Sequence, residues 1–359
     1  MNSSLISIGV ANPGKPISQH SIAGFMKQAH GLDEVEGRKL NFLYRKSGID
    51  TRYSVLTDFD KAHSRDFRFF PSNDELEPFP STKARMRVFE ENASTLGAEA
   101  ALNCLQKSAT HPTEISHLIL VSCTGMTAPG VELELMQSLQ LSDSVERYCL
   151  HFMGCYAAFT GIKLADKIVR SEPEAKVLLV CVELCTLHFQ KEYSEDHLLA
   201  NSLFGDGAAA ALITGAKAGL KIKSYLSQVL RQGVKDMAWS IGDFGFEMRL
   251  TKYIPALLEG GIHQLRAIFE QRFGLADIKN FAIHPGGKQI LQKVQEAFGL
   301  DPSMNQHAME VLRNFGNMSS VTILFVLARM MDDPKIEGDI LAMGFGPGLT
   351  LETLLLEKS

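Results

Sequence analysis

The chain has 359 residues, of which 45% are hydrophobic and 21% charged, and its formal net charge is −5. This composition is typical of a globular protein with a large core, and the length predicts two domains or one domain built from two halves. The acidic balance argues against nucleic acid as a partner, and no apolar run approaches the roughly 20 residues of a membrane span. The first residues lack the basic and apolar pattern of a secretory signal.

The cysteines point to a reducing compartment rather than to a metal or disulfide framework. They are Cys104, Cys123, Cys149, Cys155, Cys181 and Cys185. None forms a CxxC pair, and no histidine stands at a spacing typical of zinc. Several lie inside apolar runs, so we expect reduced thiols, no metal and a cytoplasmic protein.

Apolar runs separated by turn residues predict the elements of the first half. In chain order these are a strand over 4–10, helices over 17–29 and 83–107, a strand over 117–123, a helix over 131–139, a strand over 176–183 and a Gly-rich turn with an Ala-rich strand over 201–214.

Five cations fall between the first two of these helices. They are Arg38, Lys39, Arg45, Lys46 and Arg52. Two interpretations stay open: a solvated helix face, or a basic mouth that binds a polyanionic ligand such as a nucleotide phosphate.

The segment 147–170 organises the first half. It predicts a short strand, a tight corner at Gly154 and Cys155, and an amphipathic helix whose apolar residues recur at the helical period. Cys155 therefore stands at a helix N-terminus, where free N–H groups favour an anion and the thiol pKa is expected to fall below about 8.5. The alternative is a small buried apolar residue, the commonest use of cysteine.

The second half repeats this order of elements. A strand over 280–284 enters a helix over 287–298, a turn and a buried helix fill 315–331, and two strands flank a Gly-Pro turn within 339–356. The repetition predicts a duplicated α/β architecture, with its boundary near 214–223.

Three corners in the sequence place a polar, reactive residue at a strand end beside glycine: Cys155, His284 and Asn317. A cysteine with a histidine makes an activated thiolate that can take an acyl group from a thioester. Asparagine adds a neutral donor that suits an oxyanion or enolate, and no acidic residue completes a hydrolase triad. The alternatives are that His284 simply ends a strand and that Asn317 caps the following helix.

The motifs around these corners resemble those of a known family almost from end to end. They read IGVANP, KSGIDTRY, SCTGMTAPG, FMGCYAAFTG, LFGDGAAAA, IHPGGKQIL, FGNMSS and GFGPGLTLET. The sequence resembles the type III polyketide synthases, the family of chalcone synthases and of bacterial enzymes that form alkylresorcinols and pyrones. The resemblance implies a thiolase fold, five-layered αβαβα, in which half 1–218 carries the nucleophilic cysteine and half 219–359 carries the histidine and asparagine. It also implies a homodimer that takes CoA thioesters directly, without an acyl carrier protein, and we expect no further cofactor.

The resemblance also implies catalytic roles. Cys155 would carry the starter and then the growing chain. His284 would help to keep the thiolate ionised and, with Asn317, would bind the thioester carbonyl of malonyl-CoA and stabilise the enolate formed on decarboxylation. The enolate would then attack the Cys155 thioester in a Claisen condensation.

Substrate-binding positions follow from the same resemblance: Phe204 as a gatekeeper at the throat, Met248 at a second gatekeeper position, His188 where the plant enzymes have a cavity threonine, and Gly346 and Pro347 in the loop of the cavity floor. Ala128 stands where a plant methionine projects into the partner subunit. Methionine for phenylalanine and alanine for methionine both predict a roomier cavity, so we hypothesise a longer acyl starter. His188 is interpreted either as an extra acid–base group or as an ordinary hydrogen-bonded cavity histidine.

The resemblance places two CoA-phosphate lysines on Lys39 and Lys46, which favours the basic-mouth interpretation. A third phosphate contact, an arginine in the plant enzymes, falls on Phe42, and Arg45 is a candidate substitute.

The predicted function is an iterative condensing enzyme that extends an acyl-CoA starter with malonyl-CoA and cyclises the product to a pyrone, resorcinol or phloroglucinol. One alternative is a single-condensation ketoacyl synthase of the type III fatty-acid kind, against which the HPGG and GFGPGLT motifs argue. Another is a catalytically silent partner subunit, against which the intact Cys155, His284 and Asn317 argue.

Overall fold

The computed structural model describes residues 3–251, 254–275 and 278–358. The strands are β1 (Ser4–Ala11), β2 (Ile17–Ser18), β3 (Thr51–Arg52), β4 (His117–Ser122), β5 (Glu146–His151), β6 (Val177–Leu184), β7 (Asp206–Thr214), β8 (Leu220–Val229), β9 (Met237–Gly242), β10 (Gly245–Leu250), β11 (Asn280–Ile283), β12 (Gly338–Gly346) and β13 (Thr350–Lys358). The helices are α1 (Gln19–Ala29), α2 (Glu34–Lys46), α3 (Thr82–Lys107), α4 (Val131–Leu139), α5 (Ala157–Ser171), α6 (Glu195–Leu203), α7 (Ile254–Phe273), α8 (Lys288–Phe298), α9 (Gln306–Phe315) and α10 (Val321–Asp332).

A nine-stranded mixed sheet joins the two halves of the chain. Its strand order is β11-β12-β13-β8-β1-β7-β6-β4-β5, so four strands of the second half lie on one side of five strands of the first. The halves meet where β1 pairs with β8, at Ser4 with Lys221 and Leu5 with Leu220. The boundary predicted near 214–223 coincides with the connection from β7 to β8.

The central strands are buried on both faces. Every residue of β4, β6 and β7 is buried, which is why these strands read as continuous apolar runs rather than as alternating ones. Small residues let the layers approach closely: a Cβ on Gly9 of β1 would lie 2.2 Å from the Ala100 carbonyl of α3.

Two buried helices, α5 and α10, connect the halves. α5 contacts β4, β6 and β7 of the first half and β13 of the second, and α10 contacts β1, β7 and β11. The segments that carry Cys155 and Asn317 lead directly into these two helices. The duplicated order seen in the sequence therefore brings two helix starts to the middle of the molecule.

The sequence missed several elements. The segment from residue 224 to 275, for which no element was predicted, contains most of β8, the hairpin β9–β10 and α7, and α6 and α9 were not predicted either. The basic segment after α1 is the helix α2, as one of its two interpretations allowed. Among the described residues, no helix combines the length and the apolar character that crossing a bilayer requires.

Candidate active site

The Cys155 corner needs a glycine at position 154, both for its backbone conformation and for the space around it. Gly154 has a φ of +81°, a conformation that favours glycine, and a Cβ there would lie 2.2 Å from Cδ of Pro347. Its N–H donates to Sγ of Cys123 at 2.9 Å. This close approach of the β12–β13 loop places Cys155, which is 8% exposed, just before the first residue of α5.

Burial decides the protonation of Cys155 in the free protein. It raises the pKa of the thiol to about 12, and the nearby charge of Glu183 acts in the same direction. Hydrogen bonds to the side chains of Ser319 and Asn317 favour the thiolate but do not outweigh burial. The expectation of a lowered pKa at a helix N-terminus is therefore wrong for this thiol by itself, because desolvation of the sulfur exceeds the effect of the helix.

His284 follows β11 and extends its pairing, since its N–H donates to the Met343 carbonyl at 2.8 Å. The side chain is 1% exposed, and burial lowers its pKa to about 3. Neither ring nitrogen has a hydrogen-bond partner among the described residues. No side-chain hydrogen bond within the described residues orients this neutral imidazole, so the pairing of its backbone and the packing of its buried ring hold it in place.

Backbone hydrogen bonds fix Asn317 beside Phe204. The Asn317 N–H donates to the Leu203 carbonyl at 2.9 Å, and the Gly205 N–H donates to the Asn317 carbonyl at 3.0 Å. The side-chain Oδ1 accepts from the Ser319 N–H at 2.9 Å. Because Oδ1 is occupied, the amide presents its NH₂ group as the donor, and one N–H reaches the Gly286 carbonyl at 3.2 Å.

One pocket brings the three corners together. Cys155, His284 and Asn317 all line it, with about 1140 Å³ of space including its open mouth. Most of its wall is apolar, and the substrate-binding residues that the sequence predicted on this wall are Phe204, Met248, His188 and Pro347. This arrangement can hold a long acyl thioester against a thiol, an imidazole and an amide donor.

Gly346 stands beside the pocket without a side chain to contribute. A Cβ there would lie 2.6 Å from Cδ1 of Tyr156 and 3.3 Å from the Cys155 nitrogen. Glycine is needed here because the β12–β13 loop packs directly on the cysteine corner.

His188 has both ring nitrogens occupied. Nε2 donates to the Thr124 carbonyl at 2.7 Å, and Nδ1 accepts the Phe246 N–H at 2.9 Å. The imidazole stacks on Phe246 with ring centroids 4.2 Å apart, and burial lowers its pKa to about 3. Of the two interpretations, the geometry favours the hydrogen-bonded cavity histidine.

The predicted CoA-binding cations lie outside the pocket. Lys39, Arg45 and Lys46 are exposed on α2, and Nζ of Lys46 lies 5.6 Å from the centroid of the exposed Phe42 ring. Arg52, which the sequence grouped with them, is buried and does line the pocket. Ala128 is exposed in the loop between β4 and α4.

Two family models together match nearly the whole chain. The first, described as chalcone and stilbene synthases, N-terminal domain, matches residues 2–218, and the second, described as chalcone and stilbene synthases, C-terminal domain, matches residues 221–359. The chain belongs to the chalcone and stilbene synthase family. Members of this family are type III polyketide synthases, which are condensing acyltransferases.

Individual relatives support this assignment. The chain is 29% identical over 362 residues to the alpha-pyrone synthesis polyketide synthase-like Pks18 of Mycobacterium tuberculosis, covering 98% of this chain and 90% of that protein. It is 27% identical over 370 residues to probable polyketide synthase 1 of Dictyostelium discoideum, covering 99% of this chain but only 11% of that protein.

The fold agrees with the sequence comparison. The crystal structure of PKS-I from the brown alga Ectocarpus siliculosus superposes with a TM-score of 0.92 at 28% identity, covering 100% of this chain and 98% of that one. The mixed α/β fold of this type III polyketide synthase is therefore thiolase-like, as the motifs predicted.

Sequence reasoning missed one buried ionisable residue of this type III polyketide synthase. Glu183 lies in β6 and accepts the Cys123 N–H at 3.0 Å and the Thr124 hydroxyl at 2.9 Å, and burial raises its pKa to about 7. The sequence did contain a signal for this residue. A carboxylate at the end of an otherwise apolar strand is expected to be buried, and it then needs hydrogen-bond donors around it.

Proposed function

We propose that Cys155 accepts an acyl group from a CoA thioester and that His284 and Asn317 bind and decarboxylate malonyl-CoA to extend it. The observation that carries this proposal is that the thiol, the unpartnered imidazole and the amide donor line one apolar pocket. The single-condensation enzyme and the silent subunit are less well supported, because both family models are those of chalcone and stilbene synthases.

Loading begins with a proton transfer. Burial opposes a charge on Cys155 and on His284 separately, but a thiolate and an imidazolium offset each other's charge. The proton therefore leaves Sγ for the ring as the sulfur attacks the thioester carbonyl. The carbon–sulfur bond to CoA breaks, and the departing CoA sulfur takes the proton from the imidazolium.

Decarboxylation uses the same pocket with the imidazole neutral again. The ring N–H and the Asn317 NH₂ group donate to the thioester oxygen of malonyl-CoA. As carbon dioxide leaves, the electron pair becomes an enolate whose negative oxygen these donors stabilise, and each such donor is typically worth about 2.7–4 kcal/mol. The enolate carbon then attacks the acyl carbonyl on Cys155, and the thiolate is released for the next cycle.

The pocket supports iteration and a long starter. Phe204 and Met248 stand on its wall, and this wall is mostly apolar, which suits an acyl chain. His188, Gly346 and Pro347 shape this space rather than react. We propose that the product cyclises there to a pyrone, resorcinol or phloroglucinol, of which a pyrone agrees with the name of the mycobacterial relative, an alpha-pyrone synthesis polyketide synthase-like protein.

The exposed cations of α2 suit the phosphates of CoA. Lys39 and Lys46 stand seven residues apart on one helix face, and Arg45 lies beside Lys46. These groups would hold the nucleotide outside while the pantetheine arm reaches the pocket.

The oligomeric state and the cellular location of the enzyme are also part of its proposed function. We propose a homodimer in which the exposed loop carrying Ala128 faces the partner's pocket, and two similar halves, 1–218 and 219–359. The six free cysteines fit a reducing compartment, which supports a cytoplasmic location. A mass of twice one chain by light scattering would support the dimer, and a monomer mass would contradict it.

The decisive test combines labelled malonyl-CoA with acyl-CoA starters of increasing length, read by mass spectrometry, for the native enzyme and Cys155→Ala. We expect cyclised polyketides and an acyl adduct on Cys155 from the native enzyme only. A single extension would indicate a ketoacyl synthase. Neither decarboxylation nor acylation would indicate a silent subunit.

A further inference from the structure

Arg52 is a buried cation that interacts with the charge of Asp206 at a distance but is held by neutral hydrogen-bond acceptors. It lies in β3, is 3% exposed and forms no salt bridge within the described residues. Its Nε donates to Oε1 of Gln19 at 2.9 Å, and Gln19 in turn donates to the Ser202 carbonyl at 2.8 Å. Burying an arginine in this way is costly unless its N–H groups are occupied.

The guanidinium offsets part of this cost at the end of α6, while its Nη2 has no hydrogen-bond partner among the described residues. Nη1 donates to the carbonyl of Asn201 at 3.0 Å and to the carbonyl of Phe204. Carbonyls in the last turn of a helix lack intrahelical donors and carry the negative end of the helix dipole. Arg52 thus supplies both the missing donors and the favourable charge, and so fixes the backbone of Phe204.

The same side chain also packs on the Asn317 segment. A Cβ on Gly316 would lie 2.9 Å from Cδ of Arg52 and 2.7 Å from the Leu203 carbonyl, and the φ of Gly316 is +69°. The short bridge between Phe204 and Asn317 therefore runs directly beside Arg52, and it leaves no room for any other side chain at position 316.

The backbone of the Cys155 corner is built from different elements. It depends on β5, α5 and the loop at Pro347, none of which carries an acceptor for the Arg52 guanidinium within the described residues. The corner meets the Asn317 segment through the hydrogen bonds of the Cys155 thiol to the side chains of Ser319 and Asn317. Arg52, Phe204, Asn317 and Cys155 nevertheless line the same pocket. A substitution of Arg52 should therefore displace Phe204 and Asn317 more than it displaces Cys155.

We propose that Arg52 is a positioning residue that sets Phe204 and Asn317 together, so that it acts on malonyl-CoA decarboxylation and starter selection more strongly than on acylation of Cys155. This assignment rests on the roles proposed above for Phe204, Asn317 and Cys155. Lysine cannot replace it, because one ammonium group on a flexible stem does not reach Gln19 and two α6 carbonyls in the fixed geometry of a guanidinium.

The test compares Arg52→Lys with the native enzyme in two separate assays. One measures malonyl-CoA decarboxylation without a starter, and the other measures Cys155 acylation by short and long acyl-CoA starters through intact-protein mass. We expect decarboxylation to fall by about 10-fold or more, since a lost charge-assisted hydrogen bond is worth that much. Acylation by the short starter should stay within about twofold, and the preference between short and long starters should change.

Gln19→Leu provides a second variant in case Arg52→Lys folds poorly. It removes the acceptor of the Arg52 Nε–H and leaves the arginine in place. We therefore expect decarboxylation to fall more than acylation again, but by a smaller factor than in Arg52→Lys. Equal losses in both assays, or no loss in either variant, would overturn the assignment and leave Arg52 a purely structural residue. A native enzyme that takes no acyl group on Cys155 would instead refute the proposed function.

Discussion

Two histidines face the same pocket and illustrate different uses of one side chain. His284 and His188 are 1% and 5% exposed, and burial lowers the pKa of each to about 3. Both ring nitrogens of His188 are hydrogen-bonded, whereas neither nitrogen of His284 has a partner within the described ranges. Burial and pKa therefore do not distinguish these two histidines, whereas the occupancy of their ring nitrogens does.

The partners of the two imidazoles explain this difference. His188 links the β4 loop at Thr124 to the hairpin strand at Phe246, so its nitrogens hold two elements together. His284 is placed by main-chain pairing to Met343, which leaves the ring free for a substrate. An unsatisfied buried polar group costs stability and persists in native proteins chiefly where function uses it.

The largest effect on activity is expected from a substitution of His284, and the same substitution of His188 should have a much smaller one. His284→Gln should reduce polyketide formation by about 10²–10⁴-fold, because it removes the proton acceptor and one donor to the thioester oxygen. The matched variant His188→Gln should keep most of the activity. Rates of malonyl-CoA consumption and product formation measure both, and comparable losses in the two variants would remove the distinction drawn here.

Asn317→Ala should come next, with a loss of about 10²–10³-fold in malonyl-CoA decarboxylation. The variant removes the amide donor to the developing enolate but leaves the thiol and the imidazole in place. Acylation of Cys155 by a starter should therefore change much less than decarboxylation. Parallel losses of the two rates would instead point to a displaced backbone near Phe204.

His188 and His284 should contribute in the same way to the pH dependence of the free energy of unfolding. Each is neutral in the folded state down to a pKa of about 3 but takes up a proton at about 6.5 once unfolded, so each makes the native protein lose stability as pH falls from 6.5 toward 3. Relative to wild type, His188→Gln and His284→Gln should each gain up to about 1.4 kcal/mol per pH unit over this range.

Urea unfolding at pH 7.5 and 5.5 measures this gain as a difference between variant and wild type. The comparison with wild type is necessary because burial raises the pKa of Glu183 to about 7 and of Asp206 to about 6, and these groups change stability in the opposite direction. A pH-independent difference for either histidine would show that it is not buried as a neutral group.

The smallest effect on activity is expected from substitutions of the exposed lysines of α2. Lys39→Ala and Lys46→Ala should each raise the KM for an acyl-CoA by no more than about fivefold, because exposed ion pairs are worth about 0.2–1 kcal/mol and are screened by salt. The effect should vanish at high salt and with an N-acetylcysteamine thioester, which lacks the nucleotide. Lys107→Ala, an exposed lysine on α3, serves as the control.

Local patterns predicted a large share of this fold and site. The helix over 131–139 was predicted with the bounds that the structure has, and the strands before Cys155 and His284 were found within about two residues. Asn317 was expected at a strand end, but it follows the helix α9 and forms an isolated bridge with Phe204. The segment from 224 to 275 was missed, since β8, β9 and β10 have mixed burial and their apolar residues follow no clean period. Among site residues, Glu183 was missed because its donors come from segments about 60 and 137 residues away.

The sequence by itself determined the family and the order of most elements, and it singled out Cys155, His284 and Asn317 as the candidate site, because these follow from local residue type, spacing and motif. Only the tertiary structure decided the protonation of Cys155, the occupied nitrogens of His188 and the burial of Arg52. Those properties depend on desolvation and on hydrogen-bond partners far away in the chain, such as Thr124 and Phe246, which no local pattern records.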